Sequence, residues 1–173
     1  MNPRRHDPDD KPKHRSAHER ALTMLARREY SRHEITVRLT RSGYSETEVE
    51  AALERLLEQG YQNDQRFGEM LVRTRIAQGY GPLRIRAELK THQLLMTEIQ
   101  GLLDTMAADW PELACKMLRR RYGQSTAVDR QQRLRRAQFL LRRGFDAATV
   151  RSVTRVEVDV SITDDECKHR GYF

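Results

Sequence analysis

Arginines are the residues of this chain best placed to do chemistry, and that chemistry is anion binding. Arg119-Arg120-Arg121 stand together, and Arg135, Arg136, Arg142 and Arg143 follow in one later segment. In a helix starting near residue 127, a turn of about 100° per residue sets those four opposite Leu134, Ala137 and Leu141. Phe139 falls among the arginines. Two readings stand. One is a solvated arginine face whose stems snorkel over apolar surface, with Phe139 packed on a neighbouring helix. The other is a surface for phosphates or carboxylates with one stacking or anchoring aromatic. A second group, Arg73, Arg75, Arg84 and Arg86, brackets the sequence Gly79-Tyr80-Gly81-Pro82. Tyr80 there reads as packed between helical units.

Covalent catalysis finds no constellation to use. Cys115 lies between Ala114 and Lys116 with no histidine near it, the setting of a small core residue. No Gly-x-Ser-x-Gly is present, and Gly79-Tyr80-Gly81-Pro82 lacks the Lys and Ser/Thr of a phosphate-binding loop. Cys167 and His169 adjoin Asp164-Asp165-Glu166, but no second ligand pair has structural-zinc spacing. The expectation is a protein with no catalytic, metal or cofactor site, and hence not an enzyme.

Charge locates the anion-binding potential. The net charge is +7 over 173 residues, with 33% charged and 38% hydrophobic residues. Residues 109–155 hold twelve basic and four acidic side chains, a net of +8, whereas 156–173 hold two and five, a net of −3. Residues 21–108 balance, with twelve of each sign. A field confined to one segment points to a polyanion as partner. No apolar run is long enough to span a membrane. The polar, proline-broken N-terminus lacks a secretory pattern, and two cysteines make no disulfide framework. A cytoplasmic location is expected, and a monomer.

The elements that must position these arginines are written three times. The segments are Ile35-x3-Leu39-x3-Gly43-Tyr44-x4-Val49-x3-Leu53, Ile85-x3-Leu89-x3-Gln93-Leu94-x4-Ile99-x3-Leu103, and Leu140-x3-Gly144-Phe145-x4-Val150-x2-Val153. The junctions at 43, 93 and 144 lie 50 and 51 residues apart. Such a period marks a stacked helical unit, and stacked units offer long surfaces more readily than deep pockets. The chain divides into a disordered tail (1–16), three repeats (17–60, 61–108 and the basic 109–155), and a C-terminal tail (156–173).

In the first repeat Ala21, Leu22, Leu25 and Ala26 form one stripe. Ser31 with Glu34 and Ser45 with Glu48 read as capping boxes. Val49, Ala52, Leu53, Leu56 and Leu57 form the next stripe, and Gly43 and Gly60 stop helices. In the second, Asp64 sits in a first turn where the dipole favours it, and Pro82 restarts the chain after Gly79-Tyr80-Gly81. Gln93 replaces the junction glycine and Leu95 the capping serine, so a poorer cap or a longer entry is expected. In the third, Asp109, Asp146 and Gly144 play the matching roles, Gln124–Val128 lengthens the joint, and Leu134, Ala137, Leu140 and Leu141 share a face. From Val156 the alternation Val-Glu-Val-Asp-Val-Ser-Ile reads as a short strand or an extended tail.

These residues also resemble a known family. Gly60-Tyr61-x-Asn63-Asp64-x-Arg66-Phe67, Arg75-x3-Gly79-Tyr80-Gly81-Pro82-x-Arg84-Ile85-x2-Glu88-Leu89, Tyr122-Gly123 and Phe139-Leu140-x2-Arg143-Gly144-Phe145 are similar to the RecX regulatory proteins over about residues 17–155. The chain departs from the pattern at Gln62, Asn63 and Gln93, where Leu, Asp and Gly are usual. The resemblance implies an all-α fold of three tandem three-helix repeats in an elongated, curved array. It implies binding to the RecA–DNA filament, modulation and most often inhibition of the recombinase, and no catalysis. Gly79, Tyr80, Gly81, Pro82 and Glu88 then look architectural and Arg84 the contact candidate, with the Gly-Tyr-Gly-Pro joint setting the angle between repeats one and two. The alternative is a free-standing module that binds single- or double-stranded DNA, or RNA, through the basic third repeat.

Overall fold

The computed structural model describes residues 15–106, 108–123 and 129–155. Among them are nine α-helices and no strand, in the expected groups of three. Residues 1–14, the 124–128 joint and the alternating segment from Val156 lie outside the described residues. Cα packing divides the chain into two units, Met1–Asp64 and Gln65–Phe173.

The first unit holds α1 (Ala17–Leu25), α2 (Arg32–Arg41) and α3 (Glu46–Glu58). Ser16 caps α1 and Ser45 caps α3, each in a full capping box with Glu19 and Glu48. Ser31 accepts from the Glu34 amide, but the reciprocal bond expected there does not form. Glu34 instead pairs with Arg28 at 2.6 Å and Arg38 at 3.1 Å. Two cations outcompete one backbone amide for the carboxylate. The first amide of α2, that of Arg32, donates to Asp64 Oδ1 at 2.8 Å. Asp64 thus serves a distant helix start as well as lying in the first turn of its own. Buried Gln62 donates to the same Asp64 oxygen, which satisfies the amide placed where the family pattern has Leu.

The core of this unit is Ala17, Ala21, Tyr30, Ile35, Leu39, Val49, Ala52, Leu53 and Leu56. Two expected core positions are outside it. Leu57 is 54% exposed; it lies about 90° round α3 from the centre of the 49/52/53/56 stripe. Ala26 is exposed because it is the C-cap of α1.

The second unit holds α4 (Asp64–Ala77, from Gln65 on), α5 (Pro82–Thr91), α6 (Met96–Thr105), α7 (Trp110–Tyr122), α8 (Arg130–Arg142) and α9 (Ala147–Thr154). Phe67, Leu71, Val72, Ile85, Leu89, Ile99 and Leu102 form one cluster. Ala114, Met117, Leu118, Ala137, Leu140, Phe145 and Val150 form another, with Trp110 packed on both. The α5–α6 turn is no longer than its counterparts. Gln93 takes the left-handed φ of +63° that glycine takes elsewhere, and Leu95 occupies the N-cap with no side-chain bond. Only the Glu98 half of the box survives, accepting from the Leu95 amide at 2.8 Å. The poorer cap is therefore found and the longer loop is not.

Helix α9 packs on both α7 and α8. Leu134, expected in the buried stripe, is 39% exposed.

Candidate functional site

The Gly79-Tyr80-Gly81-Pro82 turn is the place where the second and third repeats meet. Tyr80 is half-buried, and Pro82 begins α5 with no side-chain cap available from Gly81. The helix start is satisfied from elsewhere. The Gly81 amide donates to the Arg143 carbonyl at 2.8 Å and the Leu83 amide to the Gly144 carbonyl at 3.0 Å. Backbone thus lies directly on backbone. A Cβ on Gly81 would collide with the Gly144 carbonyl and the Phe145 amide, and one on Gly144 with the backbone of Arg84. Glycine at both positions follows from that approach. The turn's partners are in the third repeat, which corrects the expectation that this joint sets the angle between repeats one and two.

Arg143 locks the same joint. Its Nη1 donates to the Gln78 carbonyl at 2.8 Å, and its guanidinium lies 5.2 Å from the Tyr80 ring and 5.4 Å from the Phe139 ring. Arg84 covers Tyr80 from 4.6 Å, and Arg121 covers Phe139 from 4.8 Å. Such stacking contributes about 0.5–2 kcal/mol per pair, more where desolvated. Phe139 is only 6% exposed and meets Tyr122 edge-on at 6.0 Å. It is an anchor between helices and offers no free face for a ligand ring.

The second arginine group is mostly engaged inside its own repeat. Arg75 holds Glu88 through Nε at 2.7 Å and through Nη2, and its Nη1 reaches Gln78 at 2.9 Å. This pair ties α4 to α5. Arg86 donates to Gln100 Oε1 at 3.0 Å, and Arg73 lies 3.7 Å from Glu69 one helical turn away. Arg84, the expected contact candidate, lies over the Tyr80 ring, and its backbone passes close to Gly144.

The third repeat is different. Three of its four acids are placed as caps: Asp109 accepts from the Glu112 amide, Asp129 from the Gln132 amide, and Asp146 from the amide and hydroxyl of Thr149. Burial acts to raise the Asp146 pKa, but the hydrogen bonds from Thr149 and its neighbours outweigh it and hold the carboxyl below its ordinary value. Arg119, Arg120, Arg135 and Arg142 are exposed, and no ion pair to any of them is seen among the described residues. Arg136 lies 5.3 Å from the Tyr122 ring. The structure therefore divides the expected cluster into exposed arginines on α7 and α8 and a joint-locking Arg143.

Between these parts runs a groove of about 570 Å³. Ala77, Gln78 and Tyr80 form one wall, and Met117, Arg120, Arg121, Phe139 and Arg143 the other. Guanidinium groups cover its aromatic floor, so it is suited to anions and not to stacked rings. Met117 is buried, as its place in the Leu113/Ala114/Met117/Leu118 stripe requires, whereas nothing in the neighbourhood of Gln78 marks a partner 65 residues away.

Comparison with known proteins decides the family. Residues 17–56, 63–94 and 109–154 match, in order, "RecX, first three-helix domain", "RecX, second three-helix domain" and "RecX, third three-helix domain". The chain belongs to the RecX family. A "Regulatory protein RecX" from Stenotrophomonas maltophilia (strain K279a) is 43% identical over 149 residues, covering 86% of this chain and 91% of that protein. The protein of the same description from Xanthomonas campestris pv. campestris (strain B100) is 43% identical over 141 residues, 82% of this chain and 87% of its own. Among solved structures, a regulatory protein RecX superposes with a TM-score of 0.68 at 26% identity, covering 81% of this chain and 70% of that one. RecX from Lactobacillus salivarius superposes with a TM-score of 0.67 at 21% identity, covering 80% and 92%, and supports the fold. RecX membership brings a regulatory role with it. Among the described residues no helix is long and apolar enough to cross a membrane.

Proposed function

We propose that this chain binds the RecA–DNA filament and restrains the recombinase, lowering its ATP hydrolysis and strand exchange. The observation that carries the reading is the ordered match of all three RecX domains along one chain. The exposed arginines of α7 and α8 supply attraction toward a negatively charged assembly. Arg119, Arg120, Arg135 and Arg142 carry that role; Arg75, Arg84 and Arg143 hold the second unit together. The protein acts in the cytoplasm as a monomer and needs no cofactor.

Titration into RecA ATPase and strand-exchange assays tests this. Both activities are expected to fall as the protein is added. No change in either assay at saturating protein would sink the reading.

The exposed Arg119, Arg120, Arg135 and Arg142 favour a second reading, a stand-alone nucleic-acid module. If phosphate contacts dominate, log affinity for single strands falls with log salt at a slope of about −0.7 per phosphate neutralised. Alanine at Arg119, Arg120, Arg135 and Arg142 then abolishes nucleic-acid binding. Recombinase inhibition that survives the same substitutions would separate the two readings.

A further inference from the structure

We propose that the acidic segment at residues 157–166 docks on the arginine groove of the third repeat and competes there with any outside polyanion. The groove sets Arg120, Arg121 and Arg143 around a floor of Tyr80 and Phe139. Arg143 keeps one nitrogen on the Gln78 carbonyl, and the ring faces are already under guanidinium. What remains on offer is a set of N–H edges, which suit carboxylate or phosphate oxygens and not rings.

The chain itself carries a matching ligand. Glu157, Asp159, Asp164, Asp165 and Glu166 fall within ten residues that contain no Lys or Arg. In the third repeat, by contrast, three of the four acids cap helices, and twelve basic side chains leave a net charge of +8. The segment starts two residues beyond Arg155, at the end of α9, and α9 packs on α7 and α8, the helices that bear the arginines. Ten residues reach roughly 35 Å when extended, and α7 is only about 20 Å long. The segment is thus long enough to span the length of α7.

Tethering decides the outcome. A solvated ion pair contributes little, about 0–1 kcal/mol. A tethered segment, however, is presented at an effective concentration on the order of millimolar. Several weak pairs in parallel then fill the groove at low salt, and screening empties it as the Debye length shrinks to about 8 Å near physiological ionic strength and further above it. The internal ligand raises the threshold for binding: a partner must offer a denser line of negative charge to displace it. This inference does not depend on which polyanion the protein regulates.

Cys167 adjoins the acidic run and allows a direct test in the full chain. A nitroxide is placed on Cys167 after Cys115→Ser, and the Arg side-chain N–H resonances are followed by NMR. Broadening at Arg120, Arg121 and Arg143 in low salt, relieved in high salt, is expected. An absence of broadening on α7 and α8 in low salt overturns the docking. Broadening seen only between separately labelled molecules assigns the segment to a second copy and overturns the intramolecular contact.

Competition is read on immobilised heparin, a polyanion without bases. Asp164→Asn, Asp165→Asn and Glu166→Gln together are compared with Glu50→Gln, Glu54→Gln and Glu58→Gln, a charge-matched set on the exposed face of α3. The first set is expected to tighten binding at low salt by on the order of tenfold, the second far less, with the forms converging as salt rises. Equal effects from the two sets would reduce the segment to bulk charge and overturn the competition.

Discussion

The amide of Leu83 donates to the carbonyl oxygen of Gly144 at 3.0 Å. Sixty-one positions of sequence separate the two, yet one caps the helix that the other helps to start. A helix N-terminus normally finds its acceptor in a preceding Ser, Thr, Asp or Asn. Here Gly81 has no side chain to give, and the α8–α9 turn supplies the oxygen instead. The second and third repeats therefore share their capping and belong to one unit, as the packing also shows.

Gly81→Ala is expected to destabilise the second unit by about 2–4 kcal/mol, because the new Cβ meets backbone that has no room to move. Gly43→Ala takes a left-handed φ of +90° but open space around it, so it costs only about 1–2 kcal/mol. Urea denaturation of both variants ranks them; an equal loss would deny the tight joint.

Arg143→Ala should cost about 1–3 kcal/mol, from the lost bond to Gln78 and the loss of packing on Tyr80 and Phe139. Arg142→Ala, one residue earlier and exposed, should leave the midpoint within about 0.5 kcal/mol of the parent. On immobilised heparin Arg142→Ala is expected to elute earlier while keeping its parent stability.

Leu95→Ser completes a capping box of which Glu98 already supplies half. A gain of about 1 kcal/mol is expected. Gln93→Gly relieves a side chain held at φ +63° and should add about 1 kcal/mol more. A pair of variants less stable than the parent in thermal melts would contradict the account of this turn.

Acid should loosen α9 first. The folded Asp146 carboxyl lies below its ordinary value, so its contribution is fully present above the unfolded pKa of about 3.9. It is lost as pH falls through the lower folded value. In Asp146→Asn that portion of the acid sensitivity should vanish, which hydrogen exchange of the α9 amides between neutral and strongly acidic pH can follow.

Much of this fold could be read before any coordinates. Apolar spacing placed α1 to α9, and Ser45, Asp109 and Asp146 announced their helix starts, because caps and amphipathic stripes are set by residues three or four apart. The same local rules failed at Leu57 and Leu134. Leu57 stands about 90° round α3 from the centre of its buried stripe, and Leu134 is 39% exposed although it shares a face with Ala137, because coverage depends on neighbouring helices that local spacing does not see. They also failed at Glu34, where Arg28 and Arg38 claim a carboxylate that spacing assigns to a cap.

The arginines show the division most clearly. The sequence by itself determined that the third repeat is basic, that Asp109 and Asp146 start two of its helices, and that an acidic segment follows; the start of α8, expected near residue 127, is set at Arg130 by the Asp129 cap. Tertiary structure alone decided that Arg75 belongs to Glu88, that Arg143 belongs to Gln78 and Tyr80, and that Arg119, Arg120, Arg135 and Arg142 are left to solvent. The reason is one of range. Helical periodicity fixes a residue's neighbours within a turn, whereas a guanidinium is claimed by whichever carbonyl or ring the packing of helices brings to it.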